Sequence, residues 1–172
     1  MAMKRHFEMM AAYNRWANSL LYDAAAQLSS EEYTRDVGVF CKSMMGTLNH
    51  ILVADRIWMK RFTGEGDAPA RLDTILHQAF PALRIAREAE DRRIIAWVNG
   101  LTEQALEGRF TYMTAINPRT VSQRLAPALT HFFNNQAHHR GQAHAILSIL
   151  GKAPPSLDLI YFHRTAEGKV YA

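Results

Sequence analysis

Apolar residues return every three or four positions through four separate stretches of this chain. The first runs from about Lys4 to Gln27 and carries Phe7, Met10, Ala11, Tyr13, Ala17, Leu20, Leu21 and Ala24. The second, about Ser43 to Phe62, carries Met44, Leu48, Ile51, Ala54, Trp58 and Phe62. The third covers 73–99 with Leu76, Phe80, Leu83, Ala86, Ile94, Ile95 and Val98, and the fourth covers 126–150 with Ala128, Phe132, Ala143, Ile146 and Leu150. That spacing puts an apolar stripe on one side of an α-helix. Four such stripes cover each other in an all-α four-helix bundle.

The punctuation agrees. Ser29-Ser30-Glu31-Glu32 ends the first helix and can cap a short second one. Gly64, Gly100 and Gly151 stand where helices stop. Pro81 kinks the third helix or marks its true start, and Pro127 suits a first helical residue. The connection through 101–126 is long for an up-down bundle, which predicts at least one long crossover connection. Within it, RFTYMT (109–114) and TVSQRL (120–125) flank INPR and read as a short hairpin near 109–125. The tail after Gly151 reads as irregular, with its apolar LDLIYF packing back on the body. Without a repeat or compositional break, one domain over 1–172 is expected.

Composition narrows the function. The net charge is +4, and its basic pairs (4–5, 60–61, 92–93) are scattered. Nucleic-acid binding through counterion release needs clustered cations, so it is not expected. Cys41 is the only cysteine, which rules out an intrachain disulfide and fits a reducing compartment. No signal-like N-terminus and no run of eighteen apolar residues occurs, so the expectation is a cytoplasmic protein without a membrane span. Cys41 lacks an adjacent base for nucleophilic chemistry, and no phosphate loop or Ser-His-Asp order is present.

The fourth stretch then raises a chemical question. HFFNNQAHHRGQAHAIL (131–147) holds four of the eight histidines. On a helix, His139 falls near the middle of the apolar face, Asn135 lies one turn before it, and Gln142 lies on the adjoining edge. His131 and His138 sit at the margin, and His144 points away. On the second helix His50 lies at the edge of the apolar stripe, with Asp55 about one turn on. Polar groups on an apolar stripe need partners. An ordinary buried hydrogen-bond pair would satisfy them. So would a metal, because residues at i and i+4 on one helix plus one residue from a facing helix build a three-ligand site. Asp55 and Asp91 could orient an imidazole or pair with Arg56 or Arg92. Arg140 and Gln142 read as bracing residues, and Tyr13, Trp16 and Trp58 as core.

LNHILVADRIW (48–58), THFFNNQAHHRGQAHAIL (130–147) and AAYNRWANSLL (11–21) together resemble the DinB-like family, the DinB/YfiT-like metalloenzymes, across essentially the whole chain. The resemblance implies a four-helix bundle with one unusual connection, a homodimer, and a divalent metal, nickel or zinc, held by three histidines. Carried over by position, His50 and His139 are ligands, and Asn135 stands where the family pattern has a histidine. An amide oxygen is a harder and weaker ligand than imidazole for zinc or nickel. Neither His131, about 12 Å along the helix from His139, nor His138, about 100° around it, replaces the missing ring. The family further implies metal-dependent chemistry on a small-molecule substrate, as a hydrolase or as a transferase or isomerase using a low-molecular-weight thiol. The alternative is a non-catalytic ligand-binding or structural bundle that lost its metal with the third histidine.

Overall fold

The computed structural model describes residues 2–114 and 119–172. Its long helices are α1 (Met3–Ala25), α3 (Met44–Thr63), α4 (Phe80–Gly100) and α6 (Leu125–Ile149). Short helices α2 (Ser30–Thr34), α5 (Glu103–Glu107) and α7 (Leu159–Phe162) lie between and after them. Strands β1 (Arg109–Met113) and β2 (Thr120–Arg124) pair antiparallel, Phe110 opposite Gln123 and Tyr112 opposite Val121. The bundle and the hairpin strands are those the periodicity predicts. The Asn-Pro turn expected between the strands falls on 116–118, outside the described residues.

Local chemistry sets most boundaries. Ser29 caps α2 in a reciprocal capping box with Glu32. Gly64 ends α3 at φ 75°, a left-handed conformation that favours glycine. Pro81 marks the true start of α4, so 73–79 is irregular chain of turns and bends rather than helix. Pro127 sits inside α6 instead of at its first position, because helical backbone begins at Leu125. The tail is more ordered than its prolines suggest. It forms α7, whose Phe162 is fully buried against Tyr13 and Trp16.

Side-chain pairs fix how the helices run. Asp23 meets Arg84 and Asn18 meets Asp91, so α1 and α4 are antiparallel. Phe7 stacks on Phe133, and Asn14 accepts from Arg140, so α1 and α6 are parallel. Asp55 meets Arg87 and Phe62 stacks on Trp97, so α3 and α4 are parallel as well. Helices α1 and α3 therefore face each other across the diagonal, as do α4 and α6. Parallel α3 and α4 are consecutive long helices, so the chain between them must travel back along the bundle. The long crossover is therefore 64–79, while 101–124, where the crossover was expected, carries α5 and the hairpin. Asn49 holds the returning segment at His77, donating to its carbonyl at 3.0 Å and accepting from its N–H at 3.0 Å.

Apolar clusters fill the two ends of the bundle, one around Leu21, Leu48, Leu83 and Ile146, the other around Phe7, Met59, Ile94 and Phe132. Between them lies a buried polar layer drawn from all four long helices. Arg87 contacts Asp55 at 2.5 Å and Asp91 at 3.0 Å. Gln136 donates to Asp55 at 2.8 Å, and Asn18 donates to Asp91 at 3.0 Å. Arg140 donates to Asn14, with its guanidinium over the Tyr13 ring. Two guanidinium and two carboxylate groups balance in this layer, which is how buried charge is tolerated.

Candidate functional site

His50 on α3 and His139 on α6 meet with their rings at 71° to each other. Their Nε2 atoms are 3.1 Å apart and their ring centroids 4.3 Å apart. Eight residues further along α3, Trp58 meets His131, eight residues back along α6, with centroids 5.1 Å apart. Both contacts obey one antiparallel register, with about 12 Å between the two rungs. The same register sets Ala54 opposite Asn135 at the middle rung. Ala54 offers only a methyl group at that rung, and the groove between the helices stays open.

The returning segment and the hairpin wall this groove into a cavity of about 890 Å³. Leu72 and Arg71 come from the first and Thr114, just after β1, from the second, while Tyr112 of the hairpin packs on Trp58 (centroids 5.7 Å). Phe40, 77% exposed, stands over the mouth with its ring 5.9 Å from His50 and 6.4 Å from His139. The cavity is of small-molecule size.

Proton bookkeeping on the imidazoles follows from their partners. Nδ1–H of His50 donates to the Leu72 carbonyl at 2.9 Å, so a neutral His50 presents a bare Nε2. Nδ1 of His139 lies 2.9 Å from Gln142 Oε1, an acceptor, so that ring also carries its proton on Nδ1 and presents a bare Nε2. Two lone pairs 3.1 Å apart repel. Either a cation joins them, or the Gln142 amide turns over. With the amide turned, its NH2 donates to His139 Nδ1, the His139 proton moves to Nε2, and that N–H donates to His50. His138 Nε2, 3.2 Å from the Gln142 amide nitrogen, would then donate to the amide oxygen. Burial lowers the His139 pKa, aided by the neighbouring His50 and His138 and opposed by Gln142, so protonation is a poor third solution.

As a donor set, the pair fits a metal in part. Tetrahedral zinc holds imidazole nitrogens at about 2.0–2.1 Å, which separates two of them by about 3.3 Å. An observed 3.1 Å is close. Each ring also makes the outer hydrogen bond typical of a ligating histidine. The third expected donor, Asn135, is half-buried on the same cavity wall and offers an amide oxygen. Among the described residues, no three His, Cys, Asp or Glu side chains converge as a metal group.

Other candidates lie elsewhere. Asp55 and Asp91 neither line the cavity nor touch an imidazole, and they pair with Arg87 instead of Arg56 or Arg92. Burial pushes Asp55 up to about 6 against the pull of Arg87. Arg140 is buried in the same polar layer. Cys41 is half-buried, and burial raises its pKa. Residue-by-residue reading missed the far end of the cavity: Trp58, assigned to the core, together with Arg61. The signal was present in the spacing. Trp58 lies eight residues after His50, as His131 lies eight before His139.

The sequence is similar to known proteins along most of its length. The family model described as "DinB family" matches residues 3–170. Protein DinB of Bacillus subtilis (strain 168) is 23% identical over 151 residues, spanning 85% of this chain and 87% of that protein.

Proposed function

Because the chain belongs to the DinB family, we propose that its cavity is a divalent-metal site for chemistry on a small molecule, with nickel or zinc held by His50 and His139. One observation carries the reading. Two buried imidazoles turn their Nε2 atoms toward each other at 3.1 Å while each Nδ1 is engaged outward. Asn135 lines the same wall, where its amide would contribute an oxygen or hold a water. A bound metal would supply Lewis acidity and lower the pKa of a coordinated water or thiol.

The chain's own residues have definable tasks. Leu72, through its carbonyl, fixes the His50 ring and its tautomer. Gln142 does the same for His139 in the amide orientation that accepts. Ala54 keeps the floor open, and Phe40 shields the imidazoles from bulk water. Hydrolysis, or transfer or isomerisation using a small thiol, are the reaction types this arrangement accommodates.

The amide at 135 favours one rival: a metal-free bundle in which Gln142 is turned and the two rings share a hydrogen bond. The test is metal content. Untagged protein is purified, incubated with excess nickel, zinc, iron or manganese, desalted and analysed beside His139→Ala and His50→Ala. Near-stoichiometric metal in the wild type and its loss in both variants is the expected result. No retained metal in any of the three would overturn the proposal in favour of the metal-free bundle.

A further inference from the structure

The cavity has a second polar end that the imidazole pair does not explain. Arg61, in the last turn of α3, lines it with its guanidinium carbon 4.6 Å from the Trp58 ring centroid and 4.7 Å from that of Tyr112. Cation–π contact holds a guanidinium by its face and leaves its in-plane N–H donors open. Among the described residues Arg61 makes no hydrogen bond and no ion pair, and positions 115–118 contain no carboxylate. The other charged side chains on the cavity wall, Arg71 and Asp73, satisfy each other through two hydrogen bonds of 2.8 and 2.6 Å. A basic residue in the last turn of a helix often serves only the helix dipole. Here the side chain goes to the rings of Trp58, on the cavity wall, and of Tyr112 in the hairpin.

We propose that Arg61 anchors the anionic end of the cavity's ligand, and that this ligand is an elongated small molecule with a carboxylate about two helical turns from its reacting group. The length follows from the rungs. Trp58–His131 and His50–His139 are about 12 Å apart, and between them α3 contributes the small or apolar Ala54 and Ile57, with Asn135 of α6 as the polar group on that stretch. A planar carboxylate matches the forked donors of Arg61. The substrate class rests on reading this cavity as the reaction site, but anion capture by Arg61 needs no metal, so the two fail separately.

Octanoate and octanol test it on metal-free protein kept in chelator. They share an eight-carbon chain that spans most of the inter-rung distance and differ only in the headgroup. Binding is followed by the indole N–H signal of Trp58 in 15N spectra, assigned with Trp58→Phe. Octanoate is expected to bind at least tenfold more tightly than octanol, since a charge-assisted hydrogen bond at a partly buried guanidinium contributes that much. Arg61→Gln should erase the preference while leaving metal content unchanged. Arg61→Lys, which keeps the charge without the fork, should retain part of it. His139→Ala and Arg71→Gln should leave it intact. Equal binding of the two probes, no binding of octanoate, or a preference that survives Arg61→Gln or disappears in Arg71→Gln would overturn the proposal. If Arg61→Gln does not fold, an Arg61→Lys variant with undiminished preference would do so too.

Discussion

Asn135 is the weakest of the three proposed donors, and a single substitution examines it. Asn135→His places a third imidazole one turn from His139, on the wall that already carries both others. Zinc and nickel affinity, read by competition with a chromophoric chelator, should rise at least tenfold, because imidazole outbids an amide oxygen for these ions. Unchanged affinity would mean that the side chain at 135 does not reach the pair. Gln142 offers a second residue-level test. Gln142→Glu leaves only acceptor oxygens beside His139 Nδ1 and holds the ring with its Nε2 bare. Metal affinity should rise about tenfold, the scale of a partner that orients a ligating histidine. A fall would contradict the tautomer assignment. That residues 50 and 139 each turn inward was legible from helical phase; that they meet was not. The role of Gln142 was not, because an amide's orientation depends on what lies beyond it.

At the scale of elements, the α3–α6 pair makes the site. Its antiparallel register matches His50 with His139, Ala54 with Asn135 and Trp58 with His131, so the smallest side chain faces the middle of the cavity. Ala54→Leu should fill that space. Because the added atoms enter an open groove, the expected stability change is within about 1.5 kcal/mol, while octanoate and metal binding are both lost. Retained binding of either would move the ligand off this floor. Local signals announced most boundaries, including the Ser29 capping box, Gly64 and Pro81. They could not announce that α3 and α4 are parallel. The segment 64–79 therefore looked like a loop followed by helix, when it is the return path that closes the cavity and supplies the Leu72 carbonyl.

Across the whole molecule, the buried polar layer ties the four long helices together and is sensitive to both deletion and pH. Arg87→Met leaves Asp55 and Asp91 without their shared cation and should cost about 3–5 kcal/mol in urea unfolding. A loss below 1 kcal/mol would show that water reaches the layer. The pH effect has a definite sign. Asp55 is pushed up to about 6 from 3.8, so the folded state holds this proton where the unfolded chain has released it. Its contribution to stability is therefore present below about pH 4 and lost as pH rises toward 6, by up to about 3 kcal/mol. Asp55→Asn should flatten that part of the stability profile. An identical slope in the variant would remove Asp55 as its source.

The sequence by itself determined four amphipathic helices, a short hairpin, and two inward-turned imidazoles. Each of these depends on the phase of residues a few positions apart along one element. Only the tertiary structure decided which helices run parallel, how α3 and α6 are registered, that 64–79 returns over the groove, and that Arg61 shares a cavity with His139. Those outcomes depend on complementarity between segments tens of residues apart, and a helical stripe carries no information about which partner covers it or at what offset.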